Sequence, residues 1–449
     1  MNTNILTKIS FYLLMILMVV SCTNDDDETI FDETPSKRID SRISELRELL
    51  LGSPEGFKTV YFPNNTKYGG FTFFMKFNVD GTVEMRSDVD AETGVTTGSY
   101  EVDLGSAVEL IFSTRNQIHK LSDSNIPGLI GSGYEGNSNF QYISNENGKI
   151  TFKEPRHDAI LVFEPVANNA DWMQVDESLA MRENLVPTAT TSVFQQFIVK
   201  TPSGQQNYNL NYDGLRYFAG PRNQALNGVV SEINFGIAYT PEGLIVNPPI
   251  ELDGVTHETF VYDTTQNVFV STVGDHEASI GFNEEPAFIT DDYLDLGNGF
   301  DGFVYRISEG VNVLTSAGFD AIVANVDNNL SGFGLTVQLF AILLTPDDSN
   351  QISVIIDVAD ATDSFRSAFT FKQEIKEEKM FLTYLEPGNE AAAFFETQLQ
   401  PLIDFCNSTE GLYFETKGSF QTSTTAFSNT SGTFTSAQTP SQRVYGWLF

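Results

Sequence analysis

Histidine, cysteine and basic residues are scarce in this sequence. Its 449 residues include 4 histidines, 2 cysteines and 25 lysines and arginines, against 60 aspartates and glutamates, for a formal net charge of −35. Binding to a nucleic-acid backbone needs clustered lysine and arginine, so this balance argues against a nucleic-acid partner. Two cysteines cannot build a disulfide framework or a cysteine-rich zinc site. The hydrophobic content of 41%, with 37 phenylalanines and 16 tyrosines, is too high for a disordered chain.

The N-terminus has the features of a lipoprotein signal peptide over residues 1–21. Lys8 supplies a positive charge, and residues 9–20 are almost wholly apolar. This stretch is too short to span a bilayer, which takes about 20 residues. The segment Val19-Val20-Ser21-Cys22 resembles the lipobox of bacterial lipoproteins, in which diacylglycerol alkylates the cysteine before cleavage. We therefore expect lipid on Cys22, with an ordinary signal peptide as the alternative.

Residues 22–35 are predicted to be a flexible acidic tether. The run from Asp25 to Glu28 has no apolar residue to bury, and it resembles the export signal of surface lipoproteins in Bacteroidetes. The sequence thus predicts a lipid-anchored outer-membrane protein exposed at the cell surface, with attachment facing the periplasm as the alternative. Each buried methylene of such an anchor contributes about 0.8 kcal/mol.

The remaining chain is predicted to be mainly β, as a β-rich α+β fold. Residues 71–79 alternate in polarity before an Asp80-Gly81 turn, which is typical of a β-hairpin. The last 40 residues also predict strands. Apolar periodicity predicts helices over 36–51, 171–185 and 390–406, the last kinked or broken at Pro401.

A faint internal repeat suggests how the body is organised. Residues 71–81 are echoed by residues 233–243, so we predict two similar antiparallel β lobes. A chain of this length is too long for a single core. The predicted divisions are a signal peptide at 1–21, a tether at 22–35, an N-terminal β-rich lobe at 36–200, a second β-rich lobe at 201–360, and a C-terminal helix and strands at 361–449 packed on the second lobe.

Several segments together resemble a family of Bacteroidetes lipoproteins, domain-of-unknown-function family 4302. Besides the lipobox and the first helix, they are 61–63, 69–73, 77–81, 99–100, and 110–112 leading to His119. The resemblance implies no activity and carries over no catalytic residue. It implies an accessory lipoprotein near an outer-membrane uptake system of the SusC/SusD kind.

Motifs for catalysis or metal binding are incomplete. His257-Glu258 and His276-Glu277 each begin a zinc-peptidase motif, but the required second histidine is replaced by Val261 and Ile280. Two oxygen-rich loops make Ca²⁺ a candidate cofactor, although the first does not match the spacing of a calcium loop. Solvated loops are the alternative. The candidate ligands are Asp88, Asp90 and Glu92 in one loop and Asp292, Asp295 and Asp301 in the other.

Aromatic residues near predicted turns are the candidate ligand contacts, because exposed rings form flat platforms for sugars. These residues are Tyr61, Tyr68, Tyr134, Trp172 and Tyr217, with core packing as the alternative for each. The favoured function is a non-enzymatic accessory binding protein of a nutrient-uptake system, with a glycan or peptide as ligand. The alternatives are a surface glycoside hydrolase or other hydrolase that uses an acidic pair, and a structural or adhesive surface protein.

Overall fold

The computed structural model describes residues 34–219, 224–225, 233–346 and 350–449. The predicted signal peptide, Cys22 and nearly all of the predicted tether lie outside these residues. Three large antiparallel sheets and four α-helices make up the described part of the chain, so the prediction of a mainly β fold is confirmed. None of those helices has the length and apolar character needed to cross a bilayer.

The first sheet is a closed barrel of eight strands. Its strands are β1 (Phe57–Tyr61), β2 (Phe71–Phe77), β3 (Thr82–Ser87), β4 (Thr96–Leu104), β5 (Val108–Phe112), β6 (Asn139–Glu146), β7 (Lys149–Lys153) and β8 (Ile160–Pro165). It closes because β1 pairs with β8, with Phe57 opposite Pro165. Helix α1 (Pro35–Leu51), predicted from its periodicity, buries Leu46 and Leu50 against the barrel core.

A short helical linker leads to the second sheet. It consists of a 3-10 turn at Asn169–Met173, helix α2 (Gln174–Met181) and a 3-10 turn at Arg182–Leu185, which agrees with the helix predicted over 171–185. The second sheet has ten strands in the spatial order β11-β12-β14-β15-β16-β17-β18-β9-β10-β13. In chain order they are β9 (Phe194–Thr201), β10 (Gly204–Asn209), β11 (Tyr212–Asp213), β12 (Phe218–Ala219), β13 (Gln224–Ala225), β14 (Phe235–Thr240), β15 (Gly243–Leu252), β16 (Val255–Asp263), β17 (Val268–Val273) and β18 (His276–Asn283).

The third sheet is also a closed barrel of eight strands, and we call it the third barrel after its place in the chain. Its strands are β19 (Gly302–Arg306), β20 (Thr336–Leu343), β21 (Gln351–Ala359), β22 (Ser364–Lys376), β23 (Lys379–Pro387), β24 (Leu412–Gln421), β25 (Ala426–Ser436) and β26 (Arg443–Leu448). Helices α3 (Ala317–Leu330) and α4 (Glu390–Cys406) pack against its core. The predicted helix over 390–406 is confirmed, and it runs through Pro401 without a break.

The boundaries between the three sheets do not coincide with the predicted lobe boundaries. The predicted boundary at 200/201 falls inside β9, and the boundary at 360/361 falls in the turn between β21 and β22, which pair along their length. The C-terminal strands complete the third sheet with strands that lie in the predicted second lobe: β26 pairs with β19. The internal repeat falls on two hairpins, β2–β3 and β14–β15.

The first barrel and the second sheet touch through their backbones. Gly69 N–H donates to the Arg216 carbonyl at 2.8 Å, and Gly70 N–H donates to the Ile237 carbonyl at 3.1 Å. A Cβ on Gly69 would lie 2.2 Å from the Ile237 carbonyl oxygen, and one on Gly236 would lie 2.4 Å from the Tyr68 carbonyl oxygen. Glycine is therefore required at both positions for this close approach.

Candidate functional site

A cavity of about 430 Å³ lies where the first barrel, the helical linker and the second sheet meet. Its volume is within the range typical of small-molecule sites, about 300–1,000 Å³. One wall is apolar, and it is formed by Leu179, Leu185, Val186 and Pro187 of the linker. The polar lining residues are Asp90, Arg182, Glu183, Gln195, Tyr212 and Tyr217.

A buried ion pair stands behind the polar wall. Asp88 follows β3, and Arg182 begins the last 3-10 turn of the linker. Arg182 Nη2 lies 3.2 Å from Asp88 Oδ2, with the two side chains 7% and 0% exposed. Asp88 Oδ1 accepts a hydrogen bond from the Thr72 backbone at 2.8 Å. The pair therefore ties the first barrel to the linker at the base of the cavity.

The Arg182 guanidinium is only partly satisfied by the protein. Nη1 donates to the Tyr217 hydroxyl at 3.2 Å, and the guanidinium carbon lies 4.6 Å from the centre of the Tyr217 ring. Nη2 is engaged by the Asp88 carboxylate, and Nε is buried with no hydrogen-bond partner among the described residues. Because buried polar groups in folded proteins are usually hydrogen-bonded, the unpartnered Nε of this cavity-lining residue calls for an explanation.

A tight turn places Tyr217 over Arg182. Asp213 Oδ1 accepts from the backbone N–H groups of Leu215 and Arg216 at 2.9 and 3.1 Å, and Arg216 Nη1 contacts Asp213 Oδ2 at 2.6 Å. The turn ends with Tyr217 at φ 52°, a left-handed conformation that is uncommon outside glycine. Its carbonyl accepts from Ile237 N–H at 2.8 Å, which fixes the residue against the second sheet.

The charges of the cavity follow from burial and from these contacts. Burial alone would lower the pKa of Arg182, but the Asp88 carboxylate and the tyrosine oxygens raise it, so the guanidinium is positively charged. Burial raises the pKa of Asp88, and Arg182 opposes that rise. Burial also raises the pKa of Tyr212 well above its ordinary value, so its hydroxyl stays neutral.

Four of the five predicted aromatic contacts are core residues, so the expectation that they are exposed is wrong for them. The reason is that each ring fills a sheet interior or an inter-element gap: Tyr61, Tyr68, Tyr134 and Trp172 are all buried. The polar atoms of Tyr61, Tyr134 and Trp172 have internal partners. For example, the Tyr134 hydroxyl donates to the Leu215 carbonyl at 3.2 Å, and Trp172 Nε1 donates to the Glu55 carbonyl at 3.0 Å. Tyr217 is the one of the five that lines the cavity.

The carboxylates of the first predicted calcium loop pair with two different basic side chains, Arg182 and Lys120. Asp88 turns inward to Arg182, whereas Asp90 pairs with Lys120 at 2.6 Å and Glu92 lies 3.6 Å from the same ammonium. Asp90 nonetheless reaches the cavity, where it forms part of the rim.

The second predicted calcium loop uses its carboxylates to hold the third barrel. Asp292 Oδ2 accepts from the backbone and hydroxyl of Thr416 at 2.7 and 2.9 Å. Asp301 Oδ1 accepts from the Thr345 hydroxyl at 3.1 Å, while Asp295 is exposed. Across the described residues, no group of three or more His, Cys, Asp or Glu side chains is placed to hold a metal ion. Calcium binding at either loop stays a prediction.

Arg182, the most informative residue of the cavity, was not found from the sequence. It lies in the segment predicted to be helical over 171–185, where it is followed by Glu183 and Asn184, and a basic residue in such a segment is normally an exposed one. No local signal marks it, because Ala180 is exposed and Leu179 and Met181 are only half-buried.

The family comparison covers all the residues that line the cavity. Residues 27–264 match the family described as Domain of unknown function (DUF4302). The protein belongs to this family. The matched range includes the first barrel, the linker and the second sheet through β16, and it ends before the third barrel. No curated protein matches the chain.

Proposed function

We propose that this protein is a lipid-anchored, non-enzymatic binding protein of the outer membrane that serves a SusC/SusD-like nutrient-uptake system, and that its ligand occupies the barrel–sheet cavity. The observation that carries the binding proposal is Arg182, a charged and buried residue of the cavity lining whose Nε has no hydrogen-bond partner among the described residues. A carboxylate is the group that best matches a guanidinium, because two parallel hydrogen bonds can form.

The other residues that line the cavity indicate which class of ligand fits it. Glu183 suits an ammonium group, because Asp90 is already paired with Lys120, and the apolar wall suits an aliphatic or aromatic side chain. A short peptide with free termini carries all three features. A neutral glycan carries neither charge, so the cavity favours a peptide over a glycan.

The membrane part of the proposal rests on the N-terminal sequence. The lipobox-like segment ending at Cys22 and the acidic run behind it support a lipid anchor and export to the cell surface.

Thermal-shift screening of the purified protein tests the ligand class. The probes are free tripeptides with apolar side chains, the same tripeptides as C-terminal amides, and neutral trisaccharides. A ligand at a hundredfold excess over its Kd adds about 2.7 kcal/mol of stability. We expect free tripeptides to raise the melting temperature most. A shift with the trisaccharides alone, or with none of the probes, would contradict the proposal.

A cavity-filling variant shows whether the ligand sits in this cavity. Val186 is 42% exposed on the apolar wall, so Val186→Trp should fold and occupy the space. Val162 on β8 is 36% exposed and does not line the cavity, which makes Val162→Trp the matched control. Only Val186→Trp should abolish the tripeptide shift.

The surface location needs a separate test. Protease treatment of intact cells should remove the protein, and incorporation of labelled palmitate should be lost in Cys22→Ser. Full protection from protease would place the protein on the periplasmic side, and palmitate retained in the variant would rule out Cys22 as the attachment point.

A further inference from the structure

The third barrel carries an exposed groove lined by phenylalanine. Its volume is about 640 Å³, and four rings form its floor and walls: Phe333, Phe365, Phe394 and Phe395. Phe394 is 64% exposed, Phe333 is 46% exposed and Phe365 is 39% exposed, while Phe395 is buried beneath them. A cluster of large apolar side chains left in water on one face marks an interaction surface.

The rings are held by contacts with one another and by three separate elements. Phe333 ends a 3-10 turn after α3, Phe365 lies near the start of β22, and Phe394 and Phe395 lie in the first turns of α4. The Phe333 and Phe394 centroids are 5.7 Å apart, and those of Phe365 and Phe395 are 5.5 Å apart. The groove is therefore a preformed feature of the fold, whose walls come from residues distant in sequence.

The rim of the groove is acidic. Asp360, Asp363 and Glu390 line it, and no lysine or arginine is among the described residues that do so. Hydrogen bonds from the backbone of Asp363 and then Thr362 hold the pKa of Asp360 below its usual range, so this carboxylate is charged. The nearby Arg366 does not neutralise the rim, because its guanidinium is engaged by Asp357 at 2.9 and 2.8 Å.

The negative charge of the rim distinguishes among the possible occupants of the groove. A second copy of the chain would bring the same three carboxylates of each copy together across a two-fold interface, between molecules that each carry a formal charge of −35. An anionic membrane surface would be repelled in the same way. A protein segment with lysine or arginine beside an apolar side chain satisfies both the rings and the rim.

From the phenylalanine groove and its acidic rim, we infer that the third barrel docks a partner protein through a segment that presents a large apolar side chain flanked by basic residues. This surface is separate from the barrel–sheet cavity, and it lies in the part of the chain beyond the family match at 27–264. The docking inference therefore does not depend on the proposed ligand, and the failure of one would not contradict the other.

Selection from a random peptide library displayed on phage tests the docking surface on the purified full chain. We expect enriched peptides to carry an aromatic or large aliphatic residue within two positions of lysine or arginine. Phe394→Ser should weaken their binding by about thirtyfold, the effect of losing one central anchor. Phe394 is largely exposed, so its replacement should leave the melting temperature unchanged. Phe427→Ser removes another exposed ring elsewhere on the barrel, 39% exposed against 64% for Phe394, and should leave binding unchanged.

A triple variant tests whether binding requires the negative charge of the rim. Asp360→Asn, Asp363→Asn and Glu390→Gln together keep the size of the rim side chains, and Asn can still accept the hydrogen bonds of the 360–363 turn. We expect about three- to tenfold weaker binding at low salt and a smaller effect at high salt, as for exposed ion pairs.

Four results would overturn the inference. They are no enrichment, enrichment of acidic or neutral peptides, enriched peptides that bind Phe394→Ser as well as the wild type, and a concentration-dependent dimer in sedimentation that Phe394→Ser dissociates. Flotation with phosphatidylglycerol vesicles gives a fifth, if the chain with Cys22→Ser floats with them and additional Phe394→Ser abolishes this.

Discussion

Breaking the Asp88–Arg182 ion pair should destabilise the joint between the first barrel and the second sheet. In Arg182→Met, Asp88 stays buried without a countercharge, and loss of one partner of a buried pair costs about 3–5 kcal/mol. The variant also loses the contact between the guanidinium and the Tyr217 ring at 4.6 Å, which contributes about 0.5–2 kcal/mol. We therefore expect a loss of about 4 kcal/mol or more in the free energy of unfolding.

A double-mutant cycle separates the interaction free energy of Asp88 and Arg182 from the effects of each substitution on its other contacts. Asp88→Asn keeps an acceptor for the Thr72 backbone but leaves Arg182 unpaired, so it should also be strongly destabilising. The double variant should lose less stability than the two single variants together, by about 2 kcal/mol or more, because neither charge is left alone. The exposed pair of Asp357 and Arg366 is the control, and breaking it should cost at most about 1 kcal/mol.

Urea unfolding followed by tryptophan fluorescence measures these differences. The chain has two tryptophans, and Trp447 lies in the third barrel, so a Trp447→Phe background leaves Trp172 as the probe. Trp172 packs on Phe74 with ring centroids 5.9 Å apart and therefore reports the first barrel and linker. Additive single variants, or a loss no larger than that of the surface pair, would refute a buried ion pair at this joint.

Two further predictions concern the joint and the cysteines. Gly69→Ala should cost about 1–3 kcal/mol because its Cβ meets the Ile237 carbonyl, whereas Gly94→Ala, with no atom within 4 Å of its Cβ, should be neutral in the same urea assay. Burial raises the pKa of the Cys406 thiol. A thiol reagent should therefore find no reactive group in the folded lipidated protein and one reactive group after unfolding. Two reactive thiols after unfolding would show that Cys22 carries no lipid.

Local patterns were sufficient to predict the elements with short-range contacts. The hairpin after β2 is specified by its own turn, in which Asp80 Oδ1 accepts from Thr82 N–H at 3.0 Å and Gly81 has φ 82°. Helix α1 follows from the apolar stripe that ends in Leu46 and Leu50. Such features need no information from distant parts of the chain.

Closure of the barrels could not be predicted, because it depends on distant pairings. Phe57 pairs with Pro165, and Phe303 pairs with Leu448, and no local signal states which strand completes which sheet. Helix α3 was missed although Ser316 caps it through the Phe319 N–H at 3.2 Å. Its small apolar residues fit a strand as readily as a helix.

The candidate site was only partly predictable for the same reason. Tyr217 was found because tyrosines near turns are candidates for exposure, but the same rule selected Tyr61 and Tyr134, which are buried. Asp88 was assigned to a calcium loop because its partner, Arg182, is distant in sequence. A buried ion pair leaves no local pattern when its members come from different elements.

The most direct test of the account is the affinity of one tripeptide measured by calorimetry in two chemical forms. The probe is the free tripeptide with the largest thermal shift, compared with its C-terminal amide. Loss of a charged hydrogen-bond partner costs about 1.5–3 kcal/mol, so the amide should bind at least about tenfold more weakly. Equal affinity for the two forms, or unchanged binding of the free tripeptide to Val186→Trp, would contradict a carboxylate-binding cavity at Arg182.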